Sequence, residues 1–255
     1  CQLRDAVMQG KESKILTFYN YYSVINEILS TSSIQNIDSY DLKDLEKYSK
    51  SFIDNLVENL IDSENIEFNQ IVGKISEIFK NVSKLAIRSS SNLEDLKKNA
   101  GAGLFDSYLG IDPKNIDQIK SGISKVWASI FNYRALISRR KAGISSNFAK
   151  MGVLVQEMIN PDCAFIIHTT NPINRDKNQV YIEIAHGLGE TLASANQRGS
   201  PYRLIYYKDS EKVEILNFSS YAYSIKDSEN GLCNVLISYR DEKLSKDIKI
   251  GRAHV

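Results

Sequence analysis

Several groups that bind phosphate occur close together in the segment LAIRSSSNLEDLKKNAGAGLFDSYLGI, residues 85–111. Arg88 can bridge two phosphate oxygens, Ser89 begins a run of three hydroxyls, and glycine frees backbone N–H groups in the loop Gly101, Ala102 and Gly103. The spacing matches neither the Walker A loop nor the GxGxxG dinucleotide motif. Because SSSNLED is equally typical of a capped helix N-terminus, spacing alone favours a plain strand–turn–helix junction over a phosphate cradle.

A second glycine segment, YIEIAHGLGETLAS at residues 181–194, places Glu183 and Glu190 on either side of a flexible Gly-Leu-Gly. Carboxylates beside such a loop suit Mg²⁺, which takes oxygen ligands and keeps phosphates and waters around it. The alternative is a strand–loop–helix junction in which Glu190 is merely solvated. The spacing leaves both interpretations open.

A third candidate is the apolar run MGVLVQEMI, residues 151–159, which predicts a strand. Its end at Gln156 and Met158 could present backbone groups to the edge of an adenine, with the Met158 thioether packed on the ring. Taken by itself, the pattern favours an ordinary core strand.

The remaining reactive residues form no recognisable catalytic or metal-binding pattern. His168 ends a predicted strand and His186 precedes the glycine segment, but no Cys or carboxylate stands at ligand spacing, and no Ser/His/Asp pattern is present. A histidine in such a place is more typical of a structural or hydrogen-bonding role. The three cysteines are widely spaced and odd in number, which is typical of a reducing compartment.

Hydrophobic periodicity predicts the elements that must position these groups. Helical spacing runs through residues 15–80, with Asp41 at one helix start, and a further helix is expected between Pro113 and Gly143. The run KLAIRSS predicts a strand. After residue 150 the period changes to short β-rich runs separated by Asn-Pro, Asp-Lys and Asp-Ser turns. Helices first and strands later predict an α+β fold.

Composition limits the classes of partner. Of 255 residues, 42% are hydrophobic, so the chain can bury a sizeable core, and a net charge of +1 provides no field that would steer nucleic acid or an anionic membrane to it. No apolar run reaches the roughly 18 residues of a transmembrane helix. The chain starts without Met, and IGRAHV at residues 250–255 resembles translated adapter sequence, so we expect a chain truncated at both ends with a non-native tail at 250–255.

Five ordered blocks carry a family resemblance: residues 85–111, VWASIFNYRALISRRKAGI, MGVLVQEMINPDCAFIIHTTNP, EIAHGLGETLASANQRGSPYRL and LNFSS. They resemble the nucleotide-binding domain of the α-glucan, water dikinases, most closely the phosphoglucan, water dikinase branch. That domain belongs to the larger group that includes pyruvate phosphate dikinase and phosphoenolpyruvate synthase. The resemblance is strong from about Lys84 to Ser220 and loose over the helical region before it.

The resemblance implies an ATP-grasp fold, in which two α+β lobes clamp ATP and Mg²⁺. It also implies a reaction: the β-phosphate of ATP passes to a histidine on a separate swivelling domain and then to a hydroxyl of a starch-like α-glucan. The γ-phosphate passes to water, which leaves AMP and inorganic phosphate. A plastid or a cytosol that stores starch-like glucan is the compartment this activity implies.

The resemblance also implies roles for individual residues. Arg88 and Ser89 match the phosphate-binding segment, Gln156 and Met158 the adenine side, and the mobile phosphate loop corresponds to Gly101, Ala102 and Gly103. Glu183 and Glu190 fall on the segment that borders the metal and nucleotide. The family's upstream Gly-Gly-Lys segment, its Gln-x-Arg-Pro segment and its phosphohistidine motif have no counterpart here, so neither His168 nor His186 is assigned to catalysis.

These expectations define three regions. Residues 1–83 are predicted to form the helical part of the first lobe, residues 84–249 the ATP-grasp core with a mixed or antiparallel sheet, and residues 250–255 the tail. Two alternatives stay open: a phosphoenolpyruvate synthase or antibiotic phosphotransferase of the same group, and a non-catalytic nucleotide-binding domain. The segments GLFDSYLG and GETLASANQRGSPYRL favour the glucan branch.

Overall fold

A computed structural model describes residues 15–18, 37–93, 95–96, 99–100, 103–193, 197–228 and 231–237, with the backbone alone for 15–18, 95–96, 99–100, 227–228 and 231. The chain divides into two compact units, Cys1–Met158 (unit 1) and Ile159–Val255 (unit 2). Residues 84–158 of the predicted core thus lie in unit 1 and residues 159–249 in unit 2, and the predicted domain limits remain a prediction. The predicted tail at 250–255 lies outside the described residues.

Unit 1 contains two amphipathic helices that begin at the expected kind of capping residue. Helix α1 (Leu42–Asp62) starts after Asp41, whose carboxylate accepts a hydrogen bond from the Leu42 N–H at 2.7 Å, as the sequence predicted. Helix α2 (Ile66–Ile78) starts after Asn65, whose side-chain oxygen accepts from the Phe68 N–H at 2.8 Å. Both caps satisfy an N–H group that has no partner inside the helix.

The sheet of unit 1 has four antiparallel strands in the order β1-β6-β2-β5. These strands are β1 (Ile15–Phe18), β2 (Leu85–Ser91), β5 (Ser107–Ile111) and β6 (Met151–Glu157). The short strands β3 (Asp95–Leu96) and β4 (Asn99–Ala100) pair with each other between β2 and β5. The helix predicted from residue 15 is wrong for Ile15–Phe18, because pairing with β6 outweighs the weak local preference of this short segment.

One long helix was predicted between Pro113 and Gly143, and this is wrong, because the segment forms two helices. Helix α3 (Ile116–Ala128) is followed by a 3₁₀ turn (Ser129–Phe131) and then by helix α4 (Tyr133–Ala142). The interruption leaves two carbonyls without helical partners, and side chains satisfy them: Ser49 donates to the Phe131 oxygen at 2.7 Å and Arg139 donates to the Ile130 oxygen. Side-chain partners from elsewhere in the chain thus stabilise a break that periodicity cannot show.

Helix α3 packs between the sheet and helices α1 and α2. Trp127 of α3 is fully buried and lies 5.1 Å from the Phe68 ring of α2. On its sheet side, Gly122 allows a close approach, since a Cβ there would stand 2.8 Å from the Ile87 Cδ1. One face of the sheet is therefore covered by α3, and this fixes which face remains for other functions.

Unit 2 contains a second antiparallel sheet in the order β10-β9-β8-β7. Its strands are β7 (Cys163–His168), β8 (Gln179–His186), β9 (Tyr202–Tyr207) and β10 (Val213–Asn217). A short helix α5 (Glu190–Ala193) follows β8, and β11 (Tyr223–Ser228) pairs with β12 (Gly231–Leu236). The predicted α+β class and the β-rich second half are confirmed.

Among the described residues, no helix has both the length and the apolar character needed to cross a bilayer. Helix α1 is the longest of the described helices at 21 residues, but charged residues interrupt it throughout.

Candidate functional site

Strand pairing decides which predicted site residues of unit 1 share a surface. Arg88 of β2 stands opposite Leu154 of β6 and Ser107 of β5, and Ala86 stands opposite Gln156. Because directly paired residues point to the same side of a sheet, Arg88 and Gln156 lie on one face. We call the face that carries Ala86, Arg88, Ser90, Leu154 and Gln156 the Arg88 face.

The opposite face of this sheet is part of the hydrophobic core. Ile87, Val153 and Val155 are fully buried, and Ile87 packs against α3 at Gly122. Side chains alternate along a strand, so the arginine that follows Ile87 must point away from the core. The Arg88 face is therefore the side of the sheet where a ligand could contact the predicted residues.

Arg88 is exposed within an otherwise buried or half-buried strand. Within the described part of the chain, its guanidinium makes no hydrogen bond or ion pair. A guanidinium offers five N–H donors in a planar fork that fits phosphate oxygens. An exposed arginine fixed at the centre of a sheet, with its donors unused by the described residues, can serve as an anion-binding group.

The three serines after Arg88 do not act as a single cluster. Ser90 lies on the Arg88 face, whereas Ser89 and Ser91 point to the core side of the strand. Ser91 Oγ donates to the Lys150 oxygen at 2.9 Å and accepts from the Leu93 N–H at 3.2 Å, which closes the turn after β2. The phosphate role predicted for Ser89 remains a prediction, and Ser90 is a candidate that sequence reasoning left out although strand alternation indicates it.

The segment after these serines is not the capped helix that spacing favoured. Strand β2 runs through Ser91, a turn follows at Asn92 and Leu93, and Asp95–Leu96 forms strand β3. The plain strand–turn–helix interpretation of this junction is therefore wrong. Strands β2 and β5 are joined by a long connection that contains the hairpin of β3 and β4. Connections of this kind often carry functional groups.

The predicted phosphate loop returns to the sheet next to Arg88. Gly101 and Ala102 lie outside the described residues. Gly103 has a φ of +75°, which favours glycine, and a Cβ there would meet nothing within 4 Å. Four residues later β5 begins at Ser107, directly opposite Arg88. The chain thus enters β5 opposite Arg88 four residues after Gly103.

Gln156 and Met158 lie at the other end of the same face. The ladder between β2 and β6 continues past Glu157, because the Met158 N–H donates to the Lys84 oxygen at 2.9 Å. Alternation then places Met158 on the side of Gln156, and both side chains are half-buried. Four residues separate Met158 from the position opposite Arg88, a rise of about 13 Å along the strand. Met158 is also the last residue of unit 1.

In unit 2, Glu183 is the centre of a polar cluster on the sheet. Its Oε1 accepts a hydrogen bond from Arg203 Nε at 2.8 Å and another from the Tyr181 hydroxyl at 3.2 Å. The hydrogen bond to Glu183 raises the pKa of Arg203. Burial, and then the negative charge of Glu183, raise the pKa of both Tyr181 and Tyr221. The two phenols of the cluster therefore stay protonated at neutral pH.

Glu190 is the first residue of α5 and is half-exposed. The glycine segment before it is fixed by its own backbone. The Gly187 N–H donates to the Asp162 oxygen at 2.8 Å, and the Leu188 N–H donates to the Ile225 oxygen at 3.0 Å. Because these two amides already have partners, they cannot bind phosphate without a rearrangement.

The two histidines of the described residues have no catalytic arrangement. His168 is exposed at the end of β7. His186 Nδ1 lies 3.8 Å from Cys163 Sγ, and burial together with the positive charge of Lys226 lowers its pKa. Among the described residues, no group of three His, Cys, Asp or Glu side chains could hold a metal by itself.

A groove along α1 and α4 lies elsewhere in unit 1. It measures about 540 Å³, and its lining includes Lys43, Lys47 and Lys50 of α1 together with Tyr133 of α4. None of the predicted site residues lines it. The candidate site therefore rests on the Arg88 face and the Glu183 cluster, each described within its own unit.

Comparison with known proteins places these features in a family context. The profile of the family described as pyruvate phosphate dikinase, AMP/ATP-binding domain, matches residues 12–247. The chloroplastic alpha-glucan water dikinase of Solanum tuberosum is 43% identical over 108 residues, which are 42% of this chain and 7% of that protein.

Two relatives with other names match as well. A probable phosphoenolpyruvate synthase of Pyrococcus horikoshii is 30% identical over 147 residues, 54% of this chain and 18% of that protein. A rifampicin phosphotransferase of Bacillus cereus is 36% identical over 129 residues, 51% of this chain and 14% of that protein. The chain thus matches only a small part of the length of each of these relatives.

Proposed function

Because the chain belongs to the pyruvate phosphate dikinase AMP/ATP-binding domain family, we propose that it is the ATP-binding part of a glucan, water dikinase. The family membership supports an ATP-grasp-type α+β fold, the use of ATP and a dikinase-type phosphotransferase. The finer proposal is the reaction of ATP, glucan and water to AMP, phosphoglucan and phosphate. The phosphate would pass through a histidine on a swivelling domain of the same polypeptide.

One observation carries the proposal for nucleotide binding. Along the Arg88 face, the return of the glycine loop, Arg88, Gln156 and Met158 follow one another over a length comparable to an extended nucleoside triphosphate. Charged and hydrogen-bonding groups stand at one end, and the amide and thioether side chains at the other. We infer that the polyphosphate lies toward Arg88 and Gly103 and the adenine toward Met158.

In this arrangement Arg88 neutralises phosphate charge as the transferred group develops it. Phosphoryl transfer depends on positioning and electrostatic stabilisation, and an arginine held on a packed sheet needs little reorganisation to provide both. Gln156 can exchange hydrogen bonds with the adenine edge, and Met158 offers a polarizable surface to the ring.

Glu183 and Glu190 are the residues that would hold Mg²⁺. Magnesium commonly takes one or two protein carboxylates and fills its other positions with phosphate oxygens and water, so carboxylates of this segment suit the ion. Bound Mg²⁺ would neutralise the charge of a phosphate ligand. The second oxygen of Glu183 accepts no hydrogen bond from the described residues, which supports this role.

The glucan acceptor is supported by the relatives named alpha-glucan water dikinase and by the segments GLFDSYLG and GETLASANQRGSPYRL. We propose the phosphoglucan, water dikinase branch, which acts on an already phosphorylated glucan. The second candidate is a phosphotransferase of the phosphoenolpyruvate synthase type, because that relative matches a larger share of this chain.

Nucleotide binding is tested by isothermal titration of the chain with Mg-ATP. We expect Arg88→Ala to weaken binding by about tenfold or more, since charged hydrogen bonds contribute roughly 1.5–3 kcal/mol. Arg134→Ala is the matched control, because Arg134 is an exposed arginine on α4 of the same unit. Equal affinities of the wild type and Arg88→Ala would exclude the phosphate role.

The acceptor is tested with the longest polypeptide that contains this chain and ATP labelled in the β-phosphate. Transfer of label to soluble glucan supports the glucan, water dikinase. Transfer of label to pyruvate or to a rifamycin would contradict the glucan acceptor and would support the activity of the corresponding relative instead.

A further inference from the structure

Arg203 is a residue of the Glu183 cluster to which the family resemblance gives no role. It lies on β9 directly opposite Glu183 of β8, so both side chains project from the same face of the unit 2 sheet. The ion pair between them uses only Arg203 Nε and Glu183 Oε1. Tyr181 donates to the same Oε1.

Part of the bonding capacity of this pair is unused within the described residues. Arg203 interacts with Tyr181 as well as with Glu183, which leaves donors of its guanidinium over, and Glu183 Oε2 accepts no hydrogen bond from a described residue. The Arg203 side chain is 40% exposed and that of Glu183 20% exposed, so water reaches the pair. A solvent-accessible ion pair is weak, and it can be exchanged for a stronger partner.

The surroundings of Arg203 make its guanidinium the hydrogen-bond donor on this surface that suits an anion. Ala164 and Ala185 lie on the same face, and a Cβ on Gly189 would stand 3.6 Å from that of Ala164. The amides of Gly187 and Leu188, which would otherwise suit an anion, donate to backbone oxygens instead. Ile166 and Ile205 also lie on this face, so the partly exposed Arg203 guanidinium is a charged group here that suits phosphate oxygens.

We propose that Arg203 is a phosphate-binding residue that exchanges its partner Glu183 for phosphate oxygens when a polyphosphate ligand binds. In the ligand-free state Glu183 occupies the guanidinium and keeps the local charge balanced. When phosphate takes the terminal nitrogens of Arg203, the Glu183 carboxylate becomes available to a divalent cation. The ligand class is a polyphosphate with its cation, and this inference rests on the proposed nucleotide function.

The exchange predicts effects of opposite sign for the two partners, measured by isothermal titration with sodium tripolyphosphate in the absence of magnesium. Arg203→Met should weaken binding about tenfold, because a bidentate charged contact is lost. Glu183→Gln should strengthen binding about two- to fivefold, because the competitor for Arg203 loses its charge. All titrations use the Arg88→Ala background, so that contacts at Arg88 do not contribute.

Matched controls separate exchange from general charge effects. Glu214→Gln removes the same charge from the same sheet, at a carboxylate bonded by Tyr207 rather than by an arginine. Arg198→Met removes an exposed positive charge of unit 2. Neither control should change the affinity for tripolyphosphate by more than about twofold if exchange is specific.

Weakening of binding by both Arg203→Met and Glu183→Gln would overturn the proposal, because a purely structural ion pair gives that result. Equal strengthening by Glu183→Gln and Glu214→Gln would overturn it too. If Arg203→Met does not fold, Glu183→Gln and Arg203→Lys still test the exchange, since lysine at this position should retain part of the affinity for tripolyphosphate. If Arg88→Ala does not weaken the binding of Mg-ATP, the proposed function is contradicted. The tripolyphosphate result can still be interpreted in that case.

Discussion

Arg88 and Ser89 are neighbours in sequence, yet they point to opposite faces of β2. Sequence reasoning grouped them because hydroxyls and arginine both bind phosphate, while the pleat of the strand pairs Arg88 with Ser90 and Gln156 instead. Recognition of the strand was sufficient to predict this alternation. The role of each residue therefore depends on the face of β2 on which its side chain lies as much as on its chemistry.

The alternation can be tested with two conservative substitutions. Ser90→Ala should weaken Mg-ATP binding by about fivefold, which corresponds to one neutral hydrogen bond of roughly 1 kcal/mol. Ser89→Ala is the control in the adjacent position and should leave the affinity unchanged. Titration calorimetry measures both, and a larger effect of Ser89→Ala would reverse the assignment of the two faces.

His186 should make the stability of unit 2 depend on pH. Burial first, and then the charge of Lys226, lower its pKa below the ordinary 6.5, and the Cys163 thiol, itself close to the charge of Asp162, is another titratable neighbour. The folded state therefore binds fewer protons than the unfolded state just below that value. The stability is fully present above the unfolded pKa and falls as the pH drops through the folded pKa.

We expect the free energy of unfolding to decrease as the pH falls below about 7.5 and through the ordinary histidine value, and His186→Gln to flatten this part of the decrease. Denaturant titrations at several pH values provide the measurement. His168→Gln, at an exposed position on the same sheet, is the control and should retain the wild-type slope. An unchanged slope in His186→Gln would show that other groups cause the dependence.

At the scale of elements, the link between β8 and β11 depends on one glycine. Gly187 has a φ of +77° and forms a parallel bridge with Ile225. A Cβ at Gly187 would lie 2.4 Å from the Ile225 backbone oxygen, a contact that no side-chain rotation can relieve. Tight backbone approach, rather than loop flexibility alone, explains a glycine at this position.

Gly187→Ala should therefore lower the melting temperature of the protein more than Gly143→Ala does. Gly143 also has a positive φ, of 67°, but a Cβ there meets nothing within 4 Å. Its replacement should cost only the left-handed strain of about 1–2 kcal/mol, or roughly 2–4 °C per kcal/mol. Thermal melts compare the two variants, and hydrogen exchange of the Leu188 amide reports whether its bond to Ile225 persists. Equal melting temperatures would mean that β11 moves to accommodate the methyl group.

At the scale of the whole molecule, the chain matches 7 to 18% of the length of the relatives compared above. The proposed reaction requires a phosphate-carrying histidine, and the described residues offer only His168 and His186, neither in a catalytic arrangement. The proposed activity therefore needs a polypeptide that supplies such a histidine.

We expect this chain by itself to transfer no β-phosphate label from ATP to soluble glucan. Incubation with labelled ATP and glucan, followed by separation of the glucan, measures the transfer. A longer polypeptide that includes a phosphohistidine domain is the positive control. Label in the glucan after incubation with the chain alone would require a phosphate carrier among its own residues.

The sequence alone determined the α+β class, the caps at Asp41 and Gly143 and most strands, because these depend on local periodicity and on the chemistry of single residues. It also determined the family, through ordered blocks that the domain match confirms. It could not determine that β2 extends to Ser91 in place of a helix start, or that the helix after Pro113 breaks at Ser129, because partners distant in sequence decide both.

The composition of the candidate site was decided by tertiary structure. Pairing of β2 with β6 brings Gln156 to the face that carries Arg88 and Ser90, and pairing of β8 with β9 places Arg203 against Glu183. The sequence lists the groups that could bind a nucleotide, but it does not contain the register between strands. Register is set by long-range hydrogen bonds and by burial of one face. A shift of one residue between paired strands would change which of their residues share a face.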